Sequence, residues 1–205
     1  MKMLGRGVPL ASADTIFDNV SFIAFNYDRC IEHFFFTALK QFYNLSDKDA
    51  ASIMKRQRVF HPYGVVADLP YQKNGDIDFG GSPERLAAPY ASLSGRIRTY
   101  TEQISDTTEL EAMRQAFVAA DKIVFLGFAF HDQNLKLLRP EVDLDRKMVF
   151  GTGFGMSDND ISVVKAQLTQ FFNTKARLSI AGRLLLEKSL KCAELLDHYG
   201  KSLPA

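Results

Sequence analysis

FIAFNYDRCIEHFF, residues 22 to 35, changes character twice in fourteen positions. Four mostly apolar residues run into Asn26, Tyr27, Asp28 and Arg29, and the chain then repeats apolar side chains at helical spacing: Ile31, Phe34, Phe35, Ala38, Leu39 and Phe42. Val20 to Phe25 reads as a short strand that is apolar at nearly every position, the pattern of a strand covered on both faces. A strand, a polar turn and an amphipathic helix in immediate succession are the beginning of a parallel crossover. The turn itself has two readings. Asn26 or Asp28 can cap the helix by accepting a backbone N–H; capping accounts for neither Arg29 nor a second polar side chain, and strand-end polar groups are also what a ligand meets.

The same grammar recurs along the chain. Arg58 to Val66 (RVFHPYGVV) is a second apolar run, which Pro62 and Gly64 should bend or end. Residues 67 to 104 are rich in Gly, Pro, Asp and Ser and read as an irregular insertion or lid. Thr108 and Glu111 fit a capping box, followed by Leu110, Met113, Phe117 and Ala120 on one helical face. Lys122 to Phe130 (KIVFLGFAF) is the best candidate for a buried strand, and a short helix to Leu138, closed by Pro140, comes after it. There Asp132 reads as a cap and loop anchor. Arg146 to Phe150 is a further strand and Gly151 to Gly155 (GTGFG) a glycine loop; Ser157 caps a helix with Ile161, Val164, Leu168 and Phe171 inside. A brief strand at 176 to 180 and a helix from about Arg183 to Tyr199 complete the reading. The expectation is an α/β fold: a doubly wound, mostly parallel, Rossmann-like sheet with helices on both faces, forming a single domain over residues 1 to 205.

In that architecture ligands sit beyond the carboxyl ends of the strands, where loops diverge and helix amino-termini present free N–H groups. Four candidate ends should therefore share one edge: Asn26 to Arg29, His61 to Gly64, Gly127 to Asp132 and Gly151 to Gly155. The glycine loop is either a structural turn or a ligand contact. Asp158 and Asp160 follow it closely and would repel a phosphate, so a ribose or adenine contact fits better than a pyrophosphate cradle. His61 is either a satisfied core histidine or a general base. His33 and His198 read as structural.

Bulk properties narrow the classes. The 205 residues carry 25 basic and 24 acidic side chains, a net charge of +1 with both signs interspersed, which speaks against nucleic acid or an anionic membrane as partner. The cluster Lys55-Arg56-Gln57-Arg58 reads as a solvated helix end. Cys30 and Cys192 lack C-x-x-C spacing, which disfavours a disulfide scaffold and a cysteine zinc site. With no apolar leader or spanning segment in view, a cytoplasmic protein is expected, and a homo-oligomer stays open.

Taken in order, FIAFNYDR, VFHPYG, AADKIVFLGFAFHDQNL and KMVFGTGFG, from about residue 20 to 156, resemble the sirtuin-like superfamily, in particular its prokaryotic branch of NAD-consuming antiphage defence enzymes. The resemblance implies NAD, or a related dinucleotide or ADP-ribose-like molecule, as ligand and hydrolysis of the nicotinamide–ribose bond as reaction. It places Asn26 as the group that positions water beside the ribose and Asp28 as its companion. Gly127, Phe128, Ala129 and Phe130 fall against the nicotinamide-side ribose and phosphates, and Gly151, Thr152 and Gly153 against the adenosine ribose. Three departures qualify it. Tyr63, not a histidine, precedes Gly64, so either Tyr63 or His61 would act as the base. The family's opening strand and Gly-Ala-Gly loop are absent before Phe22, so the chain reads as the C-terminal part of a larger domain or as a sheet without its pyrophosphate strand. No cysteine stands between Gly64 and Lys122, so the zinc module of the deacylating members is missing. The rival expectation is a catalytically inactive nucleotide- or ADP-ribose-binding module, or a structural module, of a defence or signalling protein.

Overall fold

The computed structural model describes residues 1–73, 77–81, 95–98, 107–139, 142, 144, 147–172 and 181–203. It is a mixed α/β protein with short parallel sheets and several helices. The chain divides into two compact units, Met1–Glu109 and Leu110–Ala205.

In the first unit a 3-10 turn at Leu10–Thr15 leads to β1 (Ser21–Ile23), then α1 (Cys30–Tyr43), α2 (Asp47–Met54) and β2 (Arg58–Phe60). β1 and β2 pair in parallel, Ser21 opposite Arg58 and Ile23 opposite Phe60, as the strand–helix crossover requires. Asn44 ends α1 in the left-handed region (φ 52°), a conformation that asparagine tolerates better than most residues. Ser46 opens α2 by accepting the Asp49 N–H at 3.2 Å. Phe17, Phe35, Leu39, Ala50, Ile53 and Met54 form the core, with the Phe35 ring edge-on to Phe17 at 5.3 Å. The predicted inner stripe of α1 needs correction. Phe35 and Leu39 are buried, but Phe34 and Phe42 are exposed, and the face they were expected to fill instead takes in Glu32. The basic run at residues 55 to 58 does follow directly on a helix end.

The second unit contains α3 (Thr107–Ala119), which opens at the unit boundary, and then β3 (Lys122–Phe125), α4 (Asp132–Leu138), β4 (Met148–Thr152), α5 (Asp158–Phe172), β5 (Leu184–Glu187) and α6 (Cys192–His198). The sheet order is β3-β4-β5, parallel throughout, with Phe125 opposite Gly151 and Thr152 opposite Glu187. Met113, Phe117, Ile123, Phe125, Val149, Phe150, Leu168 and Leu195 are buried within it. The expected inner stripe of α5 holds, since Ile161, Val164, Leu168 and Phe171 are all buried.

Several boundaries move. Thr108 lies inside the first turn of α3, which begins at Thr107. β3 stops at Phe125 because Gly127 (φ 59°) and Phe130 (φ 54°) both turn into the left-handed region, which no strand accommodates. Gly151 and Thr152 are not loop residues but the last two positions of β4. The helix expected from Arg183 is instead β5, and helix resumes only at Cys192: Leu184, Leu185 and Leu186 are flanked by ladder partners on β4, and pairing prevails over leucine's helical preference. The strand expected at 176 to 180, Pro140 and most of the expected insertion at 67 to 104 lie outside the described residues. Among the described residues no helix is long and apolar enough to cross a membrane.

Candidate functional site

In the first unit the polar turn after β1 meets the turn after β2. Asp28 Oδ1 accepts the Cys30 N–H at 2.9 Å, so Asp28 closes a local turn into α1. That backbone bond is the main reason its carboxyl lies below the ordinary value; the Asn26 side chain and His61 add smaller contributions in the same direction. Arg29 is buried and its guanidinium donates to three backbone carbonyls, Asp68 at 3.1 Å, Ile77 at 2.7 Å and Asp78 at 3.2 Å. The arginine that capping left unexplained is thus a clasp for the chain that follows β2.

His61 and Glu32 form the electrostatic centre of this unit. His61 Nε2 lies 2.8 Å from Glu32 Oε1 and its Nδ1 lies 3.2 Å from the backbone carbonyl of Asn26. Both side chains are only 9% exposed. A carbonyl only accepts, and a carboxylate only accepts, so the arrangement is satisfied when both ring nitrogens carry protons. Burial works against that charge; the hydrogen bond and negative charge of Glu32, the Asn26 carbonyl and Asp28 outweigh it, and the imidazole pKa is raised above its ordinary value. Glu32 Oε2 is fully buried with no hydrogen-bond partner among the described residues. The Tyr71 hydroxyl donates to the Glu32 backbone carbonyl at 3.2 Å, and its ring stacks on Phe36 at 4.2 Å. Burial raises the Tyr71 pKa well above the usual phenol value, with Glu32 adding to it. Tyr63 packs edge-on to Phe25 at 5.9 Å, and Gly64 follows at φ 81°. A Cβ on Gly64 would lie 1.9 Å from the Arg96 carbonyl oxygen, where Gly64 bridges to Ile97, so only glycine fits.

In the second unit the three strand ends stand side by side. Thr152 Oγ1 accepts the Gly127 N–H at 2.9 Å, and Gly153 N–H donates to the Glu187 carbonyl at 2.8 Å, so β3, β4 and β5 are tied together at their carboxyl edge. Gly151 and Gly153 are glycines because their neighbours occupy the space: a Cβ would meet Leu186 Cδ2 at 2.6 Å and Ile161 Cδ1 at 2.3 Å, respectively. Beyond them Phe154 is 57% exposed and Leu126 41% exposed, and Lys191 Nζ lies over the Phe154 ring at 5.2 Å. Gly127 and Ala129 are exposed, Phe128 half-buried, and Phe130 buried against Phe125 and Phe128. Ser157 caps α5 as expected, accepting the Asp160 N–H at 3.1 Å. Asp132 anchors without capping: it is the first residue of α4 and takes a hydrogen bond from Gln167 at 2.5 Å. Lys188 pairs with Asp158, so the negative charge at the α5 amino-terminus is partly offset.

Within each unit the expected strand ends come together, Asn26 to Arg29 with His61 to Gly64 in the first and Gly127 with Gly151 to Gly155 in the second. Sequence reasoning missed Glu32, Tyr71 and Glu187. Glu32 had a readable signal: it stands three and seven residues before Phe35 and Leu39, hence on the buried face of the helix. His33, read as structural, stacks on Phe79 at 4.0 Å. Among the described residues no three His, Cys, Asp or Glu side chains converge as a metal ion would need. Comparison with protein-family models, curated proteins and solved structures returned no match. Fold and geometry together define an α/β protein with an open carboxyl sheet edge in one unit and a buried histidine–carboxylate pair in the other.

Proposed function

We propose that this chain is a sirtuin-like, nucleotide-binding α/β protein that takes NAD or an ADP-ribose-like molecule at the carboxyl edge of β3, β4 and β5. The observation that carries the reading is the composition of that edge. An exposed aromatic ring, Phe154, lies beside the linked ends of parallel strands with an ammonium group, Lys191, over it. A planar ring and a cation at the divergence of parallel strands suit a purine and a phosphate. The turn that the buried residues Gly151, Thr152 and Gly153 lead into then lies beside the adenosine ribose, and the exposed Gly127 and Ala129, in the segment Gly127 to Phe130, beside the remainder of the dinucleotide. The doubly wound sheet expected from the sequence is part of the same proposal.

Binding without turnover is favoured over hydrolysis by the state of His61. A general base needs an available lone pair, and both ring nitrogens of His61 face acceptors. Hydrolysis is the second reading, with NAD taken instead at the polar turns of the first unit; it rests on Asn26, which is exposed beyond β1 next to Asp28. In that reaction water held by the Asn26 amide would add to the ribose carbon as the nicotinamide nitrogen takes the bonding pair, the proton passing to solvent. Titration calorimetry with NAD and ADP-ribose, together with chromatography for free nicotinamide, tests both. The binding reading expects heat from both ligands, weakened by Phe154→Ala, and no nicotinamide. Heat from neither ligand overturns nucleotide binding. Nicotinamide release that Asn26→Ala abolishes establishes hydrolysis in its place.

A further inference from the structure

The turns that follow β1 and β2 are joined through the His61 ring. Its Nδ1 lies 3.2 Å from the Asn26 carbonyl and its Nε2 lies 2.8 Å from Glu32 Oε1. Further along, the Val66 N–H donates to the Tyr27 carbonyl at 3.0 Å. Little of the core depends on this stretch: of residues 61 to 66 Pro62 alone is buried, whereas the core of the unit is drawn from Phe17, Phe35, Leu39, Ala50, Ile53 and Met54. From residue 67 the chain is fixed again, with Ala67 and Leu69 buried and the Arg29 guanidinium donating to the Asp68 carbonyl at 3.1 Å. Residues 61 to 66 are thus a short, lightly packed span between two secured ends. The Arg98 N–H donates to the Tyr63 carbonyl at 2.9 Å, so residues 97 and 98 go with the span.

Charge decides whether the joint holds. A doubly protonated imidazole donates to both acceptors, whereas a neutral one keeps a single N–H and turns a lone pair on either the carbonyl or the carboxylate. Glu32 Oε2 has no hydrogen-bond partner among the described residues, so a neutral His61 leaves a buried carboxylate short of both a donor and a counter-charge. The other groups around the pair keep their state near neutrality. Arg29, beside Asp68 and Asp78, stays charged; Asp28, its carboxyl held below the ordinary value by the Cys30 N–H, stays ionised. The Cys30 thiol, raised by its hydrogen bond to Asp28, and the Tyr71 phenol, raised by burial, stay neutral. The imidazole is left to change charge there. We infer that the His61–Glu32 pair is a proton-operated clasp: protonated, it holds the two turns together, and on losing its proton it lets residues 61 to 66 part from Asn26 to Glu32 while the rest of the unit stays folded.

Amide hydrogen exchange on the full chain, followed by NMR and divided by the intrinsic rate at each pH, provides the test. Val66 reports the joint and Leu39, buried within α1, reports the unit as a whole. Val66 should be the less protected of the two, and dilute urea should speed Leu39 while leaving Val66 nearly unchanged, since a local opening exposes little surface. The clasp is fully present below the free imidazole value of about 6.5, so Val66 protection should fall about tenfold per pH unit above it and level off beyond the raised folded value. Glu32→Gln, whose amide can donate to a neutral Nε2, should flatten that slope. Val66 protection that does not change with pH, a urea response equal to that of Leu39, or a slope that Glu32→Gln leaves intact overturns the clasp. The first two of these need the wild type alone, so the outcome does not hang on the folding of the variant.

Discussion

His61→Ala strips Glu32 Oε1 of its hydrogen-bond partner, and Oε2 already has none among the described residues. The carboxylate would then be enclosed, with its side chain 9% exposed, and without a counter-charge or a donor from His61. Removing one member of a buried ion pair costs about 3 to 5 kcal/mol, whereas an exposed pair is worth about 1 kcal/mol or less. Against a total stability of about 5 to 15 kcal/mol for a folded domain, that loss would leave the first unit marginal. Hydrogen exchange at the amides of α1 reads this unit by itself, a practical route in a chain with no tryptophan. A double-mutant cycle with Glu32→Ala should give a coupling above about 2 kcal/mol; a value within the range of an exposed pair, below about 1 kcal/mol, would refute the buried-pair assignment. The pH dependence has a definite sign. Because the folded imidazole pKa is raised, the stabilisation is complete below the unfolded value of about 6.5 and is lost as pH rises through the folded value. Wild type and His61→Ala should therefore converge in stability on the alkaline side. Glu32→Gln, whose amide can offer either an acceptor or a donor to Nε2, should flatten the profile.

Gly153→Ala should destabilise the second unit by about 1 to 3 kcal/mol through overpacking against Ile161 Cδ1. Adding Ile161→Val, which removes that carbon, should recover part of the loss in urea denaturation; strictly additive effects would show that the clash is not the cause. Asp28→Ala should cost about 1 kcal/mol or less, since the turn it closes is exposed. As the Asp28 pKa is lowered on folding, its contribution is present above the ordinary carboxyl range and disappears as pH falls through the folded value. Thermal melts of the two proteins that converge near neutral pH and diverge in acid would contradict this.

The buried residues of α5 show what periodicity can and cannot deliver. Ile161, Val164, Leu168 and Phe171 could be placed from spacing because a single apolar stripe leaves one solution. α1 carries aromatic residues on more than one face, so spacing could not say that Phe35 goes in and Phe34 stays out, nor that Glu32 would be drawn inside. Nor could it show β5, since a leucine run suits a helix as well as a strand until β4 is beside it. The candidate sites divide in the same way. That Asp28 would close a turn was legible, because the bond spans two residues. That Arg29 would clasp Ile77 was not, since its acceptors stand 39 to 49 residues away and are anonymous backbone carbonyls.

Composition and local pattern alone determined that this chain alternates short apolar strands with helices, that its polar residues gather at strand ends, and that Gly64 marks a break. These properties depend on neighbours a few positions apart, where the energetics are short-ranged. Only the tertiary structure decided that His61 would be shut in with Glu32, that Thr152 would tie β4 to Gly127, and that Glu187 would accept the Tyr199 hydroxyl. Each of these partners lies 12 or more residues away, and desolvation, which gives each contact its strength, arises only when the intervening chain has folded.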